Sequence, residues 1–413
     1  MHVSGLQCTL CEKTFGTDVL YTCPNCGGDG ILDVVYDYDA VADTLSRKTL
    51  HDRSNDHWRY RELLPINDDA SLPAIQIGWT PISEAPGLAQ WAAINRLWLK
   101  DEGRNPTASL KDRASSIGVI KSREFGYDTI ACASTGNAAT SLAGMAATAG
   151  LSCYIFVPEQ AAEAKLAQLL IFGAKVMRVR GAYDEVYDLC MRACEQYGWY
   201  KRNAAVNPDL VEGKKSCGLE IGEQMGENMP DWLAIPVGDG CTIAGIWKGI
   251  TEMRRLGLIP HLPRLLGVQA EGAQALLQAF QTGQDLVPTD VQTLADGIAV
   301  GTPHNWRKAV RAVQASEGDM IAVSDDEILI AMRVTARLGG IFGEPAGVAA
   351  LAGIRRAVGN DIISKDESVL TVITGNGLKD VQSARQATRE AFLIAPNMEA
   401  LQEQVNQIEK GLP

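Results

Sequence analysis

From about residue 74 onward the chain alternates short apolar runs of strand-like composition with stretches whose apolar residues recur at helical spacing. That pattern predicts strands over 96–100, 129–133, 152–157, 175–180, 232–237, 264–270 and 368–374. It predicts helices over 112–126, 137–149, 161–172, 183–197, 211–225, 243–256 and 347–358. Alternation at this spacing implies parallel sheets covered by helices, because a parallel strand needs a crossover to carry the chain back. Two sheets are expected, with 129–200 making a compact set of βα units. Residues 31–72 break the pattern. They are rich in Asp, Arg and Tyr, show weak periodicity, and read as an irregular wrapping segment. No repeat with a period of roughly 20–50 residues is apparent.

Composition narrows the function. The 413 residues are 46% hydrophobic and 21% charged, which suits two or three domains with sizeable cores. With 38 Lys and Arg against 50 Asp and Glu the net charge is −12. That balance argues against general binding to nucleic acid or anionic membranes, which needs surplus cations. It leaves room for a small anion in a locally positive pocket. No apolar run of about 18 residues is present, so no membrane span is expected. The start, Met1-His2-Val3-Ser4-Gly5, lacks a basic stretch before an apolar one, so no signal peptide is read and a cytoplasmic location is expected.

The cysteines add a metal candidate. Cys8-x2-Cys11 and Cys23-x2-Cys26 are two knuckles that can converge four thiolates on one tetrahedral Zn(II). The alternative is redox or bystander thiols. A four-sulfur site has no open position for substrate, so the expected zinc is structural. Cys132, Cys153, Cys190 and Cys194 read as buried thiols.

In open α/β sheets ligands bind beyond the carboxyl ends of strands, so the loops there carry the chemistry. Four have unusual composition. Residues 100–113 include Asn105-Pro106-Thr107-Ala108-Ser109-Leu110-Lys111-Asp112-Arg113. A lysine opening a helix among partly apolar neighbours can be freed as a neutral amine for imine chemistry, although a loop lysine taken alone is a solvated charge. Ser134-Thr135-Gly136-Asn137 sets amides and hydroxyls at a helix start, where they either grip a carboxylate or serve as an ordinary N-cap. Gly238-Asp239-Gly240-Cys241-Thr242 can close on a phosphate. Thr374-Gly375-Asn376-Gly377-Leu378-Lys379-Asp380 follows a strand and by itself could be a glycine turn.

Taken together, and in this order, the four loops resemble threonine synthase in the tryptophan-synthase-β class of pyridoxal phosphate (PLP) enzymes. The likeness extends to the cysteine knuckles, to Gly78-Trp79-Thr80-Pro81, to Asn207-Pro208 with Glu212-Gly213-Lys214, and to Phe342-Gly343-Glu344-Pro345-Ala346. It implies a two-domain α/β fold of type II, parallel-rich, with a small zinc-ribbon-like segment in front. The expected division is 1–36 for the ribbon, 37–122 with 208–395 for a large PLP-binding domain, 123–207 for a small α/β domain, and 396–413 for a tail. It further implies that Lys111 is the Schiff-base lysine and that Asn137 meets the cofactor's ring hydroxyl. Ser134, Thr135, Gly136 and Asn137 would hold the substrate carboxylate. Gly238, Asp239, Gly240, Cys241 and Thr242 would surround the cofactor phosphate, and Thr374 would face the pyridine nitrogen. A homodimer is expected by the same analogy.

The departures concern the substrate. In the family, O-phosphohomoserine is held by an Asn-Ser-x-Asn-Pro-x-Arg segment and by a Thr after Ser-Thr-Gly-Asn. Here the segment is Ala204-Ala205-Val206-Asn207-Pro208-Asp209-Leu210, and Ala138 follows Asn137. A guanidinium–phosphate contact is among the strong charge-assisted bonds, so its loss should weaken binding by orders of magnitude. An Asp at 239 beside a phosphate dianion is unfavourable unless it points away or meets a cation. Three readings stay open: a lyase forming L-threonine from O-phospho-L-homoserine, a related PLP lyase acting on an unphosphorylated amino acid such as serine or threonine, and a zinc-stapled binding protein derived from such an enzyme, against which the intact Lys111 and Thr374 argue.

Overall fold

A computed structural model describes residues 2–18, 21–161, 163–181 and 183–410. Ala162 of the expected helix 161–172, and the last three residues of the expected tail, lie outside the described residues. The larger sheet has six strands, in spatial order Asp319–Val323, Arg264–Ala270, Trp232–Pro236, Ser368–Ile373, Arg96–Asp101 and Ile82–Glu84. The first five run parallel, and Ile82–Glu84 closes one edge antiparallel. A second sheet holds four parallel strands, Lys175–Val179, Ser152–Pro158, Thr129–Ala133 and Tyr200–Lys201.

The strands are apolar on both faces because helices cover both. Side chains alternate between faces with period two. Leu233 and Ile235 therefore join one core with Leu370 and Val372, while Trp232 and Ala234 join another with Leu266 and Val369. In the small sheet Ile130 and Cys132 pack with Ile155 on one side, and Ala131 with Phe156 and Cys190 on the other. Cys132, Cys153, Cys190 and Cys194 are all buried, as expected.

Residues 31–72 are more regular than their composition suggests. Leu32–Tyr36 pairs antiparallel with Val3–Cys8, which also pairs with Thr14–Phe15. Leu32, Val34 and Tyr36 alternate into a small core beside Cys8 and Cys23. Helices Tyr38–Thr44 and Arg47–His51 follow, started by Asp37 and Ser46, whose side chains accept amides of their first turns. Two short helices set by caps leave too few turns for a helical period to show.

Three helices position the site: Lys111–Glu124, Pro208–Met225 and Cys241–Arg255. The first two approach so closely that a Cβ on Gly213 would lie 2.2 Å from the carbonyl oxygen of Arg113. Only glycine permits that separation. Just inside the start of its helix, Arg113 makes two bidentate pairs, with Glu102 (2.7 and 2.7 Å) and with Glu220 (2.6 and 2.7 Å). Lys100 joins Glu220 at 3.0 Å, and all four side chains are fully buried. Two cations against two carboxylates leave the cluster neutral, the condition for burying such a group without a large desolvation loss.

Candidate active site

Lys111 opens its helix directly after a loop stitched to the 374–376 turn. Leu110 N donates to the Thr374 carbonyl (2.9 Å) and Asn376 N to the Ala108 carbonyl (3.1 Å). Ala108 has φ +64°, a left-handed backbone that bends the loop sharply before the helix. Asp112 accepts the Thr107 amide at 2.7 Å and the Thr107 hydroxyl at 2.5 Å. Two segments distant in sequence are thus locked together around one amine.

That amine faces a cavity of about 900 Å³ between the two sheets, lined in part by Ser134–Ala138, Gly238–Thr242 and Thr374. The volume suits a cofactor and a small substrate together. Burial, and then the Lys214 ammonium, lower the Lys111 pKa from 10.5 to about 8. Such a lysine carries a useful fraction of free amine near neutrality.

Residues of all four sequence-predicted loops line this cavity. Ser134–Asn137 ends the strand Thr129–Ala133 and starts the helix Asn137–Ala149. Gly136 N donates to Ser134 Oγ at 3.3 Å. Asn137 Nδ2 donates to Glu344 Oε1 at 2.7 Å, and burial raises the pKa of Glu344. At the head of Cys241–Arg255, Gly240 takes φ +95°, and a Cβ there would press on Ala309 Cβ and the Asn305 oxygen at 2.9 Å. Asp239 accepts His304 N (2.8 Å) and Asn305 Nδ2 (2.7 Å). Its carboxylate is committed to the 304–305 segment.

Four wall residues carry no role in the sequence reading. Lys214, 1% exposed, donates to Cys241 Sγ at the start of the helix Cys241–Arg255. Arg202, 4% exposed, donates through Nη2 to Ser115 Oγ at 3.1 Å. Glu344 orients Asn137, and Lys165 reaches across the cavity mouth to Asp296 at 2.7 Å. Lys214 stands in the polar stretch Glu212-Gly213-Lys214-Lys215-Ser216, where composition gives no sign of burial. For Arg202 composition held no signal, since its burial depends on three separate segments.

The fit to PLP is good on these grounds. A glycine-shaped helix start with a buried ammonium suits a phosphate, and a lowered lysine amine suits an aldehyde. In the N-terminal sheet the sulfurs of Cys8, Cys11, Cys23 and Cys26 all lie within 4.8 Å of one another, with Cys11 and Cys23 at 3.7 Å. Zn–S bonds of about 2.3 Å in a tetrahedron put sulfurs about 3.8 Å apart, so the donor set suits that ion. Among the described residues no helix is long and apolar enough to cross a membrane.

Comparison with known proteins agrees with this geometry. Residues 74–375 match the family described as pyridoxal-phosphate dependent enzyme. The threonine synthase of Methanocaldococcus jannaschii is 38% identical over 96% of this chain and 98% of its own. That of Mycobacterium bovis is 38% identical over 79% of this chain and 88% of its own. Among solved structures, the processed form of threonine deaminase isoform 2 from Solanum lycopersicum superposes with a TM-score of 0.66 at 23% identity, covering 76% of this chain and 88% of that one. Maize serine racemase gives 0.64 at 18%, covering 80% and 93%. These two likenesses concern the fold, of type II. The chain belongs to the threonine synthase family of pyridoxal-phosphate dependent enzymes, and is a lyase of that class.

Proposed function

We propose that the protein converts O-phospho-L-homoserine and water to L-threonine and inorganic phosphate, with PLP held at Lys111. The observation that carries this reading is the Lys111 amine, lowered to about 8 and set in one cavity with a carboxylate-binding loop and a phosphate-binding helix start. PLP, when bound, supplies an electron sink for charge developing on the substrate.

The chain's own residues do the rest. The amides of Gly238, Gly240, Cys241 and Thr242 and the Lys214 ammonium bind the cofactor's phosphate, while Asp239 braces the loop from behind. Thr374 offers a hydroxyl to the pyridine nitrogen, which leaves the ring largely unprotonated and moderates the sink. Ser134, Thr135, Gly136 and Asn137 hold the substrate carboxylate, and Glu344 fixes the rotamer of Asn137. Lys111, once its amine is free, takes and returns the proton at the substrate Cα.

Cys8, Cys11, Cys23 and Cys26 hold a structural zinc in this reading. The division into a ribbon at 1–36, a large domain, a small domain at 123–207 and a tail, and a cytoplasmic homodimer, come with it. The second reading, a lyase for unphosphorylated amino acids, is favoured by Ala138 and Ala205, which line the cavity without a hydroxyl, and by the fully buried Leu210.

A panel assay on purified holoenzyme separates the two. Phosphate release from O-phosphohomoserine at a kcat/KM of about 10⁴ M⁻¹s⁻¹ or more supports the first. Keto-acid formation from serine or threonine with no phosphate release would overturn it. Borohydride treatment should leave the cofactor's mass on Lys111, and a label on another lysine would refute the assignment of the site.

A further inference from the structure

Five cations line the cavity, Lys111, Lys165, Arg202, Lys214 and Lys379; Lys165 is paired with Asp296, and among the described residues the other four make no ion pair with a carboxylate. Elsewhere in the interior such charges are neutralised, as in the Arg113 cluster. Lys111 is the amine for the cofactor aldehyde, and Lys214 sits at the cofactor's phosphate loop. Of the other two, Lys379 donates to Gln168 Oε1 at 3.4 Å, whereas Arg202 is nearly fully buried with part of its guanidinium unpartnered.

Its surroundings make that informative. Arg202 Nε is buried with no hydrogen-bond partner, and Ser115 Oγ takes the one hydrogen bond found for the guanidinium. Ser115 stands one turn from Lys111 on the same helix, so the guanidinium lies on the helix face that presents the reactive amine. The nearest acid of that helix, Asp112, is already bound by Thr107. Burial lowers the pKa of Arg202, and the Asp112 charge offsets only part of that.

The stems of Arg202 and Leu210 are also neighbours. A Cβ built on Gly118 would lie 2.9 Å from Leu210 Cδ2 and 4.0 Å from Arg202 Cγ. Position 210 is where the family resemblance expects the arginine for the substrate phosphate. A guanidinium anchored at 202 therefore rises beside the spot that one at 210 would serve.

We propose that Arg202 is the residue that binds the phosphate of the substrate, its guanidinium entering the cavity from the end of the small sheet in place of the arginine missing at position 210. This rests on the phosphorylated substrate of the preceding reading. It removes the main objection to that reading, since a phosphate monoester supplies the anion that Arg202 lacks.

The test uses holoenzyme and two probes. One is a phosphonate isostere of O-phosphohomoserine, with a methylene in place of the ester oxygen. The other is L-serine, which shares its carboxylate and amine only. Binding is followed by titration of the cofactor's absorbance. Arg202→Met should weaken the phosphonate by about 30–100-fold and L-serine by no more than about twofold. The exchange variant Arg202→Met with Leu210→Arg should recover at least about tenfold of the loss.

Phosphonate affinity unchanged in Arg202→Met, or phosphonate and serine weakened alike, would overturn the assignment. If Arg202→Met does not fold, Arg202→Lys carries the comparison, with a selective loss of about fivefold expected and an unchanged phosphonate affinity overturning it. Wild-type holoenzyme that binds serine but not the phosphonate would instead refute the phosphorylated substrate, and the inference with it.

Discussion

The Lys111 amine offers the sharpest quantitative test of the site. Its pKa is lowered from 10.5 to about 8, burial being the larger cause and the Lys214 ammonium the next. At pH 7 a lysine with the ordinary value holds about 0.03% of its amine neutral, whereas one at 8 holds about 9%, roughly 300-fold more. Competitive labelling of cofactor-free protein with an amine-specific anhydride, read peptide by peptide in a mass spectrometer, follows that fraction directly. Labelling of Lys111 should rise with pH and level off around a midpoint near 8, while exposed lysines in the same digest keep rising. Lys214→Met should shift the midpoint upward by less than half of the gap to 10.5, because burial remains.

The same shift has a thermodynamic face. Between about pH 8 and 10.5 the unfolded chain holds a proton at Lys111 that the folded chain has released, so stability climbs with pH through that window. Below about 8 both states are protonated and the cost of the buried ammonium is fully present, about 3 kcal/mol. Cofactor-free Lys111→Met should accordingly gain stability over wild type at pH 7, and the advantage should shrink as pH rises above 8. A labelling midpoint above about 10, or no difference between the two proteins' pH profiles, would refute the account.

Other outcomes test the scaffold. Metal analysis of freshly reduced protein should find one zinc per chain, and Cys23→Ser should lower the melting temperature while turnover per folded molecule stays near normal. Gly213→Ala, which drives a methyl group against the Arg113 backbone, should cost at least about 2 kcal/mol in urea unfolding, more than the few tenths usual at an exposed site. Arg113→Met leaves Glu102 and Glu220 to share Lys100 in a dry interior. It should cost about 3–5 kcal/mol by the same measurement.

What the sequence determined by itself was everything carried by short-range spacing. The alternation of strands and helices from 96 to 270 was readable because each element imposes its own period on a few consecutive residues, whereas the strand Asp319–Val323 and the helices Ala275–Thr282, Trp306–Ala315 and Asp325–Gly339 were not read. The four loops beyond the strand ends were readable because a tight turn onto a helix demands small and hydroxyl-bearing residues at fixed positions. The pairs of cysteines were readable because a knuckle closes within four residues. Tertiary structure decided what distant segments do to one another. The edge strand Ile82–Glu84 is only three residues long and exists because Arg96–Asp101 offers it an edge. The Asp239 carboxylate is held only because His304 and Asn305, some 65 residues on, fold back to donate to it. Lys214 and Arg202 are, as sequence, two ordinary cations. Desolvation is a property of the surrounding volume, and here that volume is assembled from strands of two sheets and helices that meet only in the folded chain. The cavity's charge, and with it the anion it selects, is therefore a product of packing.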